Sequence, residues 1–261
     1  MTEAVQKDWN PGAYARFRDL RLRPALDLMG SVRSVGGGDV IDLGCGNGAM
    51  GTALKARFAG HRLLGVDSSP AMLEKAGETG AYDRLERHDI GTWTGPQGRA
   101  GLIFSNATLH WLKDHAGLMP RLAGMLSPGG TLAIQMPHQN NAPSHRVWVS
   151  LVNEMFPERV DPGAGPGVRE PAGYFHLLAG LGTFELWETE YFQVLPADPD
   201  GHPVRRFTEA TFARPILDAL DEDEQARLIR AYEEVMEKAY PRGADGTVLF
   251  PFRRMFFTLT V

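Results

Sequence analysis

The sequence predicts an α/β protein with a doubly wound, mostly parallel sheet and helices on both faces. Short apolar runs alternate with segments of helical periodicity through the first half of the chain, which is typical of parallel strands joined by crossover helices. The first run ends in a glycine-rich turn, VIDLGCGNG at residues 40–48. Asp42 and Asp67 stand near the ends of the first two runs, and the strand ends of such a sheet are where ligands bind.

The individual elements follow from local signals. A serine cap followed by Pro70 marks one helix, Asp221 caps another, and alternating apolar and polar residues mark the strand at 183–195. The predicted strands, seven in all with the last antiparallel, are residues 40–43, 63–66, 87–90, 102–104, 131–136, 183–195 and 248–261. The predicted helices are a short N-terminal helix, a second beginning near Pro24, and residues 49–58, 71–76, 117–126, 147–156, 207–220 and 222–240. The SPGG sequence at 127–130 is predicted to be a tight turn.

The glycine-rich turn is predicted to cradle a nucleotide. Gly44 and Gly46 remove side chains where a ligand approaches the backbone, and Gly48 lets the next helix pack close to the strand. The run also satisfies the loose dinucleotide pattern G-x-G-x-x-[GA], so a nicotinamide or flavin enzyme is an alternative. Asp42 argues against it, because its charge repels a diphosphate and suits a cation such as S-adenosylmethionine. Asp67, about 20 residues beyond the glycines, is placed to accept hydrogen bonds from ribose hydroxyls.

Composition and charge narrow the classes of function. The 261 residues are 43% hydrophobic, which suits one packed α/β domain with an insertion. The formal net charge is −5 and no block of Lys and Arg accumulates, so nucleic acid is not an expected partner. The N-terminus lacks the apolar core of a signal peptide, and no run reaches the roughly 18 apolar residues of a bilayer span. We expect a cytoplasmic monomer without a membrane partner.

Cys45 is the single cysteine, so an intrachain disulfide is excluded and a reducing compartment is favoured. We interpret it as a small residue under the ligand and not as a nucleophile, because no base follows nearby. The eight histidines lack the spacing of metal ligands, and no set of residues resembles a catalytic triad. The sequence therefore predicts neither a metal nor a catalytic acid or base.

Several motifs resemble those of a known family. VIDLGCGNG together with Asp67 is similar to motif I and the acidic ribose clamp of class I S-adenosylmethionine-dependent methyltransferases, which have a Rossmann-like fold. A second set of motifs is more specific and resembles the trans-aconitate methyltransferase family within that class. This set comprises DWNPGAYARFRDLRLRPA (8–25), VDSSPAML (66–73), HDIGTW (88–93), LIFSNATLHWLKDH (102–115), LAIQMP (132–137), REPAGYFHLL (169–178) and the C-terminal FPFRRMFF. Residues 157–167 depart from it, since they are richer in Gly and Pro than the family pattern.

The resemblance implies a cofactor site for S-adenosylmethionine. It places Trp9 and Tyr14 over the cleft and Met72 beside the adenine. Asp89 is then spaced to bind the adenine amino group, with Ile90 stacking on the ring. The predicted cofactor-binding residues are Trp9, Tyr14, Asp42, Gly44, Gly46, Asn47, Asp67, Ser68, Met72, Asp89, Ile90, Asn106 and Ala107.

A polycarboxylate acceptor requires positive charge, and arginine suits it through two parallel hydrogen bonds to one carboxylate. The predicted substrate-binding residues are Arg23, His110, Arg169, Tyr174, Arg214 and Arg254. Carboxylates are ionised at neutral pH, so His110 is expected to contact the substrate and not to transfer a proton. No catalytic residue is predicted, and the expected role of the protein is only to position the cofactor and the acid.

Three hypotheses for function follow. The first is a carboxyl O-methyltransferase that forms the monomethyl ester of trans-aconitate or a close polycarboxylate. The second keeps the chemistry but changes the acceptor to a malonyl carrier protein or another small acid, with the arginines between residues 16 and 23 as the docking patch. The third is a non-catalytic cofactor-binding protein.

The predicted organisation is N-terminal cap helices at 1–35, a cofactor-binding core at 36–137, a cap insertion at 138–182, and the rest of the core at 183–261 with a helical insertion at 203–240.

Overall fold

A computed structural model describes residues 18–160, 167–209 and 211–261, with side chains from residue 22 onward. The helices are α1 (Arg18–Ser31), α2 (Gly51–Arg57), α3 (Pro70–Glu78), α4 (His115–Gly124), α5 (Pro143–Met155), α6 (Pro171–Leu178), α7 (Pro203–Glu209), α8 (Arg214–Asp218) and α9 (Glu222–Ala239). The strands are β1 (Asp39–Leu43), β2 (Leu63–Asp67), β3 (Arg84–Arg87), β4 (Ala100–Asn106), β5 (Leu126–Pro137), β6 (Thr183–Leu195) and β7 (Val248–Thr260). A short 3-10 turn, Leu109–Trp111, follows β4.

The seven strands form a sheet in the order β3-β2-β1-β4-β5-β7-β6. The pairs β1–β2, β1–β4, β2–β3 and β4–β5 are parallel. The N–H of Gly129 donates to the carbonyl of Val261 and that of His138 to the carbonyl of Arg253, so β7 runs antiparallel to β5. The predicted doubly wound, seven-stranded sheet is confirmed. The strand order reverses between β1 and β4, which is where such sheets bind ligands.

The internal contacts divide the chain into two compact units. The first unit contains the described residues up to Met136 together with 167–188 and 255–261, and the second contains those of 137–160 and 189–254. The core of the first unit consists of apolar side chains from β1, β4 and β5, packed with those of α4, α6 and the end of β7. In the second unit the indole of Trp148 in α5 stacks on the ring of Tyr232 in α9, with centroids 3.8 Å apart.

Among the described residues, none of the helices is both long enough and apolar enough to cross a membrane.

The position of strand β3 differs from the prediction. It covers Arg84–Arg87 and pairs with residues 64–67 of β2, three residues earlier than expected. Edge strands commonly carry charged side chains, so the sequence RLER contains no apolar run by which to recognise it. Asp89 consequently lies two residues beyond the strand and not at its end.

Three further boundaries correct the predictions. Helix α1 already begins at Arg18 and contains Pro24 in its interior. The SPGG sequence lies inside β5, because the register with β4 passes from Ala100↔Leu126 to Leu102↔Thr131 and the extra residues bulge out of the pairing. The helix predicted at 207–220 is divided into α7 and α8, since Pro215 has no N–H to continue a helix and instead starts a new one. Helix α6 was not predicted.

Candidate active site

The turn after β1 takes its shape from three glycines. Gly44, Gly46 and Gly48 have φ angles of 77°, 54° and 77°, in the left-handed region that favours glycine. A Cβ on Gly44 would overlap the side chain of Thr108, whereas a Cβ on Gly46 would meet no atom of the described chain within 4 Å. Gly46 is therefore the point of the loop that is open to a ligand. The close neighbour of Gly48 is not the following helix but Ala76 of α3, whose Cα would lie 3.0 Å from a Cβ on Gly48.

Asp67 ties this turn to the end of β2. One carboxylate oxygen accepts a hydrogen bond from the N–H of Gly46 at 2.9 Å, and the other accepts from the N–H of Ser69 at 3.0 Å. Ser69 in turn caps α3, because its hydroxyl accepts from the N–H of Met72 at 3.3 Å. The carboxylate is thus oriented beside the open glycine, and each oxygen keeps a lone pair for a further donor. Local turn chemistry produces the bonds of Asp67 to Ser69 and of Ser69 to Met72, whereas the bond to Gly46 requires that β1 and β2 pair side by side.

Asp42 lies at the same end of the sheet but is almost fully buried. Its side chain is 3% exposed and accepts a hydrogen bond from the hydroxyl of Tyr82 at 2.7 Å. Burial and, to a smaller extent, the charge of Asp67 raise the pKa of Asp42 to about 7, against the lowering effect of the Tyr82 hydroxyl. Burial also raises the pKa of the Cys45 thiol in the turn, so a thiolate is disfavoured at neutral pH.

The end of β4 forms the other side of the switch point. Asn106 has a buried Oδ1 atom that finds no hydrogen-bond partner within the described ranges. Ala107 has a φ of 51°, which is unfavourable for a residue with a Cβ and is typical of backbone held for a functional purpose. Thr108 fixes the two loops together, since its hydroxyl lies 3.2 Å from the carbonyl of Gly44 and 3.1 Å from that of Asn106.

The remaining predicted cofactor residues of the described chain lie in the loops after these strands, except Met72, which lies in α3. Met72 and Ile90 are 5% and 7% exposed, so they contribute mainly to the core. Asn47 is half-buried, whereas Ser68 and Asp89 are exposed. The carboxylate of Asp89 accepts from the N–H of Gly91 at 2.8 Å. Trp9 and Tyr14 lie outside the described residues.

A chain of hydrogen bonds positions the segment that carries Arg169. The N–H of Arg169 donates to the hydroxyl of Tyr174 at 3.2 Å, and this hydroxyl lies 2.5 Å from Nδ1 of His115. Nε2 of His115 faces the carbonyl of Leu109 at 2.9 Å and must carry a proton to bond to it, so Nδ1 accepts from Tyr174. Burial, with a smaller contribution from the charge of Arg169, lowers the pKa of His115, which favours the neutral ring.

Two glycines bring this segment close to its neighbours. The N–H of Gly167 donates to the carbonyl of His110 in the 3-10 turn at 2.9 Å. A side chain on Gly167 would collide with the carbonyl of Leu112. A Cβ on Gly173 would lie 3.1 Å from Nε of Arg169, so the arginine side chain packs over this glycine. Arg169 itself is exposed and forms no ion pair with the residues that the structure describes.

Tyr174 was predicted to contact the substrate, but in the structure its side chain lies in the interior and supports Arg169. Its side chain has no exposed surface, its hydroxyl is used by Arg169 and His115, and its ring stacks on Phe257 with centroids 5.0 Å apart. A side chain without accessible surface cannot touch a substrate in this conformation. The phenol holds the backbone of Arg169 instead.

The other predicted substrate residues have varied surroundings. In the first unit Arg23 is exposed, and His110 is 7% exposed with its ring 4.5 Å from that of Trp111. In the second unit Arg214 pairs with Asp218 at 3.7 Å. Arg254 is 3% exposed and stacks on Phe252, with its guanidinium carbon 4.6 Å from the ring centroid.

Sequence reasoning missed Tyr82, Thr108 and His115. Each acts through a partner distant in the sequence: Tyr82 on Asp42, Thr108 on Gly44 and His115 on Tyr174. The only available signal was that the last two lie within LIFSNATLHWLKDH, one of the family-like motifs. The described residues contain no group of three His, Cys, Asp or Glu that could hold a metal ion.

These features fit a nucleoside with a cationic tail. The open Gly46 admits a ligand to the backbone, Asp67 presents lone pairs suited to ribose hydroxyls, and the unsatisfied Oδ1 of Asn106 can accept from an ammonium group. Asp42 adds a carboxylate near the same strand ends. A diphosphate would meet these acidic groups unfavourably.

Comparison with known proteins agrees with the site. A family model described as a methyltransferase domain matches residues 14–164, so the chain contains a methyltransferase domain. The trans-aconitate 2-methyltransferase of Methylobacterium radiotolerans is 38% identical, with 95% of this chain and 96% of the relative covered. That of Pseudomonas aeruginosa is 36% identical, with 98% and 95% covered. The chain belongs to the trans-aconitate 2-methyltransferase family.

Among solved structures, the YcgJ protein from Bacillus subtilis has a similar fold. Its TM-score is 0.59 with 14% sequence identity, over 92% of this chain and 98% of that protein. At this identity the similarity concerns the fold alone.

Proposed function

We propose that the chain is an S-adenosylmethionine-dependent carboxyl O-methyltransferase that forms the monomethyl ester of trans-aconitate. The observation that carries the proposal is the pairing of Asp67 with the N–H of Gly46 at the one glycine of the turn that is open to a ligand. Relatives that are 36–39% identical bear the name trans-aconitate 2-methyltransferase, which favours a small acid over a carrier protein as the acceptor.

The cofactor lies across the carboxyl ends of β1, β2 and β4 in this proposal. Asp67 accepts from the ribose hydroxyls, while Asp42 and Asn106 face the charged methionine part. Asp89 and Ile90 bind the adenine, with Met72 at its edge. The remaining contacts are assigned to Trp9, Tyr14, Gly44, Gly46, Asn47, Ser68 and Ala107.

When bound, S-adenosylmethionine would supply a methyl carbon on a sulfonium sulfur, for transfer to an oxygen of the acid with the carbon–sulfur electron pair left on sulfur. The protein must hold the three atoms in line and exclude water, and orientation of this kind accounts for much of the acceleration in such reactions. No protein base is needed, because the carboxylate is already ionised at neutral pH.

Arg169 is the best supported anchor for the acid. Its guanidinium is exposed without an ion-pair partner among the described residues, and its backbone is held by the hydroxyl of Tyr174. The same segment is attached to the turn that carries His110. We therefore assign Arg169 and His110 to the acid, with Arg23 as a further cation of the first unit. Arg214 and Arg254 lie in the second unit and stay sequence-based predictions.

The setting of the enzyme is also part of the proposal. A cytoplasmic location is supported by the single cysteine, which suits a reducing compartment. The expectation that nucleic acid is not a partner rests on the net charge of −5. The monomeric state stays a sequence-based prediction. The division into cap and core segments stays a prediction.

A methyl-transfer assay tests the function directly. Labelled S-adenosylmethionine is incubated with the protein and trans-aconitate, cis-aconitate, isocitrate or a malonyl carrier protein, and base-labile ester is counted. We expect ester formation to be fastest with trans-aconitate. Turnover of trans-aconitate no faster than the blank would rule out the acceptor, and failure to bind S-adenosylmethionine by calorimetry would rule out the cofactor.

A further inference from the structure

We propose that Tyr82 is a positioning residue for the cofactor, acting through Asp42. Its hydroxyl orients the buried Asp42 carboxylate and favours the ionised form that a cationic ligand requires. The inference rests on the proposed function, because it concerns the side of the site that faces the sulfonium and ammonium groups.

A slot between three glycines brings Tyr82 to its position. A Cβ on Gly51 would lie 2.7 Å from the tyrosine ring, one on Gly65 would lie 2.9 Å from it, and one on Gly48 would lie 3.1 Å from it. Separations of this size are at or below the limit of van der Waals contact, so larger residues would displace the ring. The three glycines come from the turn after β1, from α2 and from β2, and all of them leave room for the same side chain.

The register of the sheet explains why the slot is needed. Tyr82 precedes β3, whereas Asp42 lies on β1, and β2 runs between these two strands. The residue of β2 paired with Asp42 is Gly65. Because Gly65 has no side chain, the phenol can cross β2 and place its hydroxyl 2.7 Å from Oδ2 of Asp42. The phenol thus reaches across a whole strand to one buried carboxylate. This arrangement is suited to fixing the orientation and the ionisation of Asp42.

The surroundings of Asp42 define what the hydroxyl does. The titratable groups that act on Asp42 are Tyr82 and Asp67, and Cys45 lies in the adjoining turn. Burial and Asp67 raise the pKa of Asp42, and the Tyr82 hydroxyl opposes them, which leaves the value at about 7. Near neutral pH the carboxylate is therefore protonated in part of the molecules. A cationic ligand draws it into the ionised form and releases a proton.

Calorimetric titration of the full chain with S-adenosylmethionine tests the inference. Titrations from pH 6 to 9 in phosphate and in Tris, whose ionisation heats differ, report both the affinity and the protons released. In Tyr82→Phe the ring still fills the slot but the hydroxyl is lost, so the pKa of Asp42 rises further. We expect about tenfold weaker binding at pH 7, more proton release than in the wild type, and recovery of most of the affinity at pH 9.

Asp42→Asn supplies the control that separates positioning from packing. If Tyr82 acts through Asp42, then adding Tyr82→Phe to Asp42→Asn has little further effect on affinity and none on proton release. An equal loss in both backgrounds, or a loss in Tyr82→Phe that does not change with pH, would overturn the inference.

A second control removes a comparable hydroxyl elsewhere. The hydroxyl of Tyr240 accepts from the N–H of Ser144 in the second unit, and Tyr240→Phe should leave the pH dependence of binding unchanged. A shift of that dependence in Tyr240→Phe as large as in Tyr82→Phe would also overturn the inference. A wild-type chain that binds no S-adenosylmethionine at any pH contradicts the proposed function itself, whereas normal wild-type binding with an unaltered Tyr82→Phe variant contradicts only the role of Tyr82.

Discussion

The glycine turn after β1 and the segment at residues 167–178 both present polar groups, but they are built in different ways. The turn relies on backbone conformation, with positive φ angles at three glycines and a carboxylate, Asp67, bonded to main-chain N–H groups. The segment at 167–178 relies on side chains, because Arg169 is held through Tyr174 and His115 to the carbonyl of Leu109. The bond between Gly46 and Asp67 joins the ends of two adjacent parallel strands 21 positions apart, whereas the second arrangement joins residues up to 59 positions apart.

The difference suits the ligands that we assign to each region. A nucleoside must approach the backbone closely, so the turn needs residues without side chains. A carboxylate needs one cation held at a definite distance, so the segment needs a rigid base for a long arginine. Variants in the turn should therefore affect the cofactor, and variants in the segment at 167–178 should affect the acid.

The largest effect is expected from Asp67→Ala. This change removes the acceptor for the N–H groups of Gly46 and Ser69 and for the proposed ribose hydroxyls. Hydrogen bonds to a charged group contribute about 1.5–3 kcal/mol each, so affinity for S-adenosylmethionine should fall by about 100-fold or more in calorimetry. Asp114→Ala is the matched control, since Asp114 also accepts from a backbone N–H, that of Gly117 at 3.0 Å, but at the start of α4. Equal losses in both variants would show that general destabilisation is the cause.

The two glycines of the turn should respond differently to alanine. Gly44→Ala forces a methyl group into Thr108 and should lower the free energy of unfolding by about 2–4 kcal/mol. Gly46→Ala meets only the cost of its φ angle, about 1–2 kcal/mol, but places a methyl group where the ligand approaches. In urea unfolding, Gly46→Ala should therefore be more stable than Gly44→Ala. In calorimetry, Gly46→Ala should bind S-adenosylmethionine about tenfold or more weakly than the wild type. Unaltered binding in this variant would move the cofactor away from Gly46.

Arg169→Gln should weaken the acid site without weakening the fold. Loss of one charge-assisted contact should raise the KM for trans-aconitate by about tenfold or more, while the urea midpoint and the affinity for S-adenosylmethionine stay unchanged. Arg33→Gln is the control, because the Arg33 side chain is 82% exposed and pairs with the surface carboxylate of Glu185. A KM equal to that of the wild type would exclude Arg169 from the acid site.

Tyr174→Phe should affect the acid site indirectly, through Arg169. It leaves Nδ1 of His115 and the N–H of Arg169 without their partner, which should lower the free energy of unfolding by about 1–3 kcal/mol. The KM for trans-aconitate should rise severalfold as Arg169 loses its support, with no change in cofactor affinity. Tyr232→Phe removes a similarly buried hydroxyl that donates to the carbonyl of Ser144. It should cost similar stability and leave the KM unchanged, and an equal rise in both would refute the specific role of Tyr174.

The last prediction concerns the pH dependence of stability in the absence of ligand, where the two regions should respond in opposite directions. The pKa of His115 is lowered on folding, so its contribution to stability is present above the ordinary value of 6.5 and is lost as the pH falls below it. The pKa of Asp42 is raised from 3.8 to about 7, so its contribution is present below 3.8 and is lost as the pH rises to about 7. In urea unfolding, Asp42→Asn should gain stability relative to the wild type between pH 4 and 8. A constant difference over that range would contradict the assignment.

Much of the fold, including the glycine turn at the end of β1, could be predicted from the sequence. The turn at residues 40–48, the position of Asp67 and the caps Ser69 and Asp221 depend on backbone preferences that act over a few residues. The strand at 183–195 was predicted with its observed ends, because a half-buried strand alternates apolar and polar residues. Strand β3 was misplaced because its burial is set by β2 and not by its own pattern.

The sequence by itself determined most of the strands and helices, the glycine turn and the acidic residues near the strand ends, since these follow mainly from local conformational preference and hydrophobic periodicity. The tertiary structure alone decided that Tyr82 reaches Asp42 across Gly65 and that Tyr174 turns from a candidate substrate contact into the support of Arg169. These pairings depend on strand register and on the packing of α4 against α6, which bring together side chains that are far apart in the chain. No local pattern specifies a partner 40 or 59 residues away.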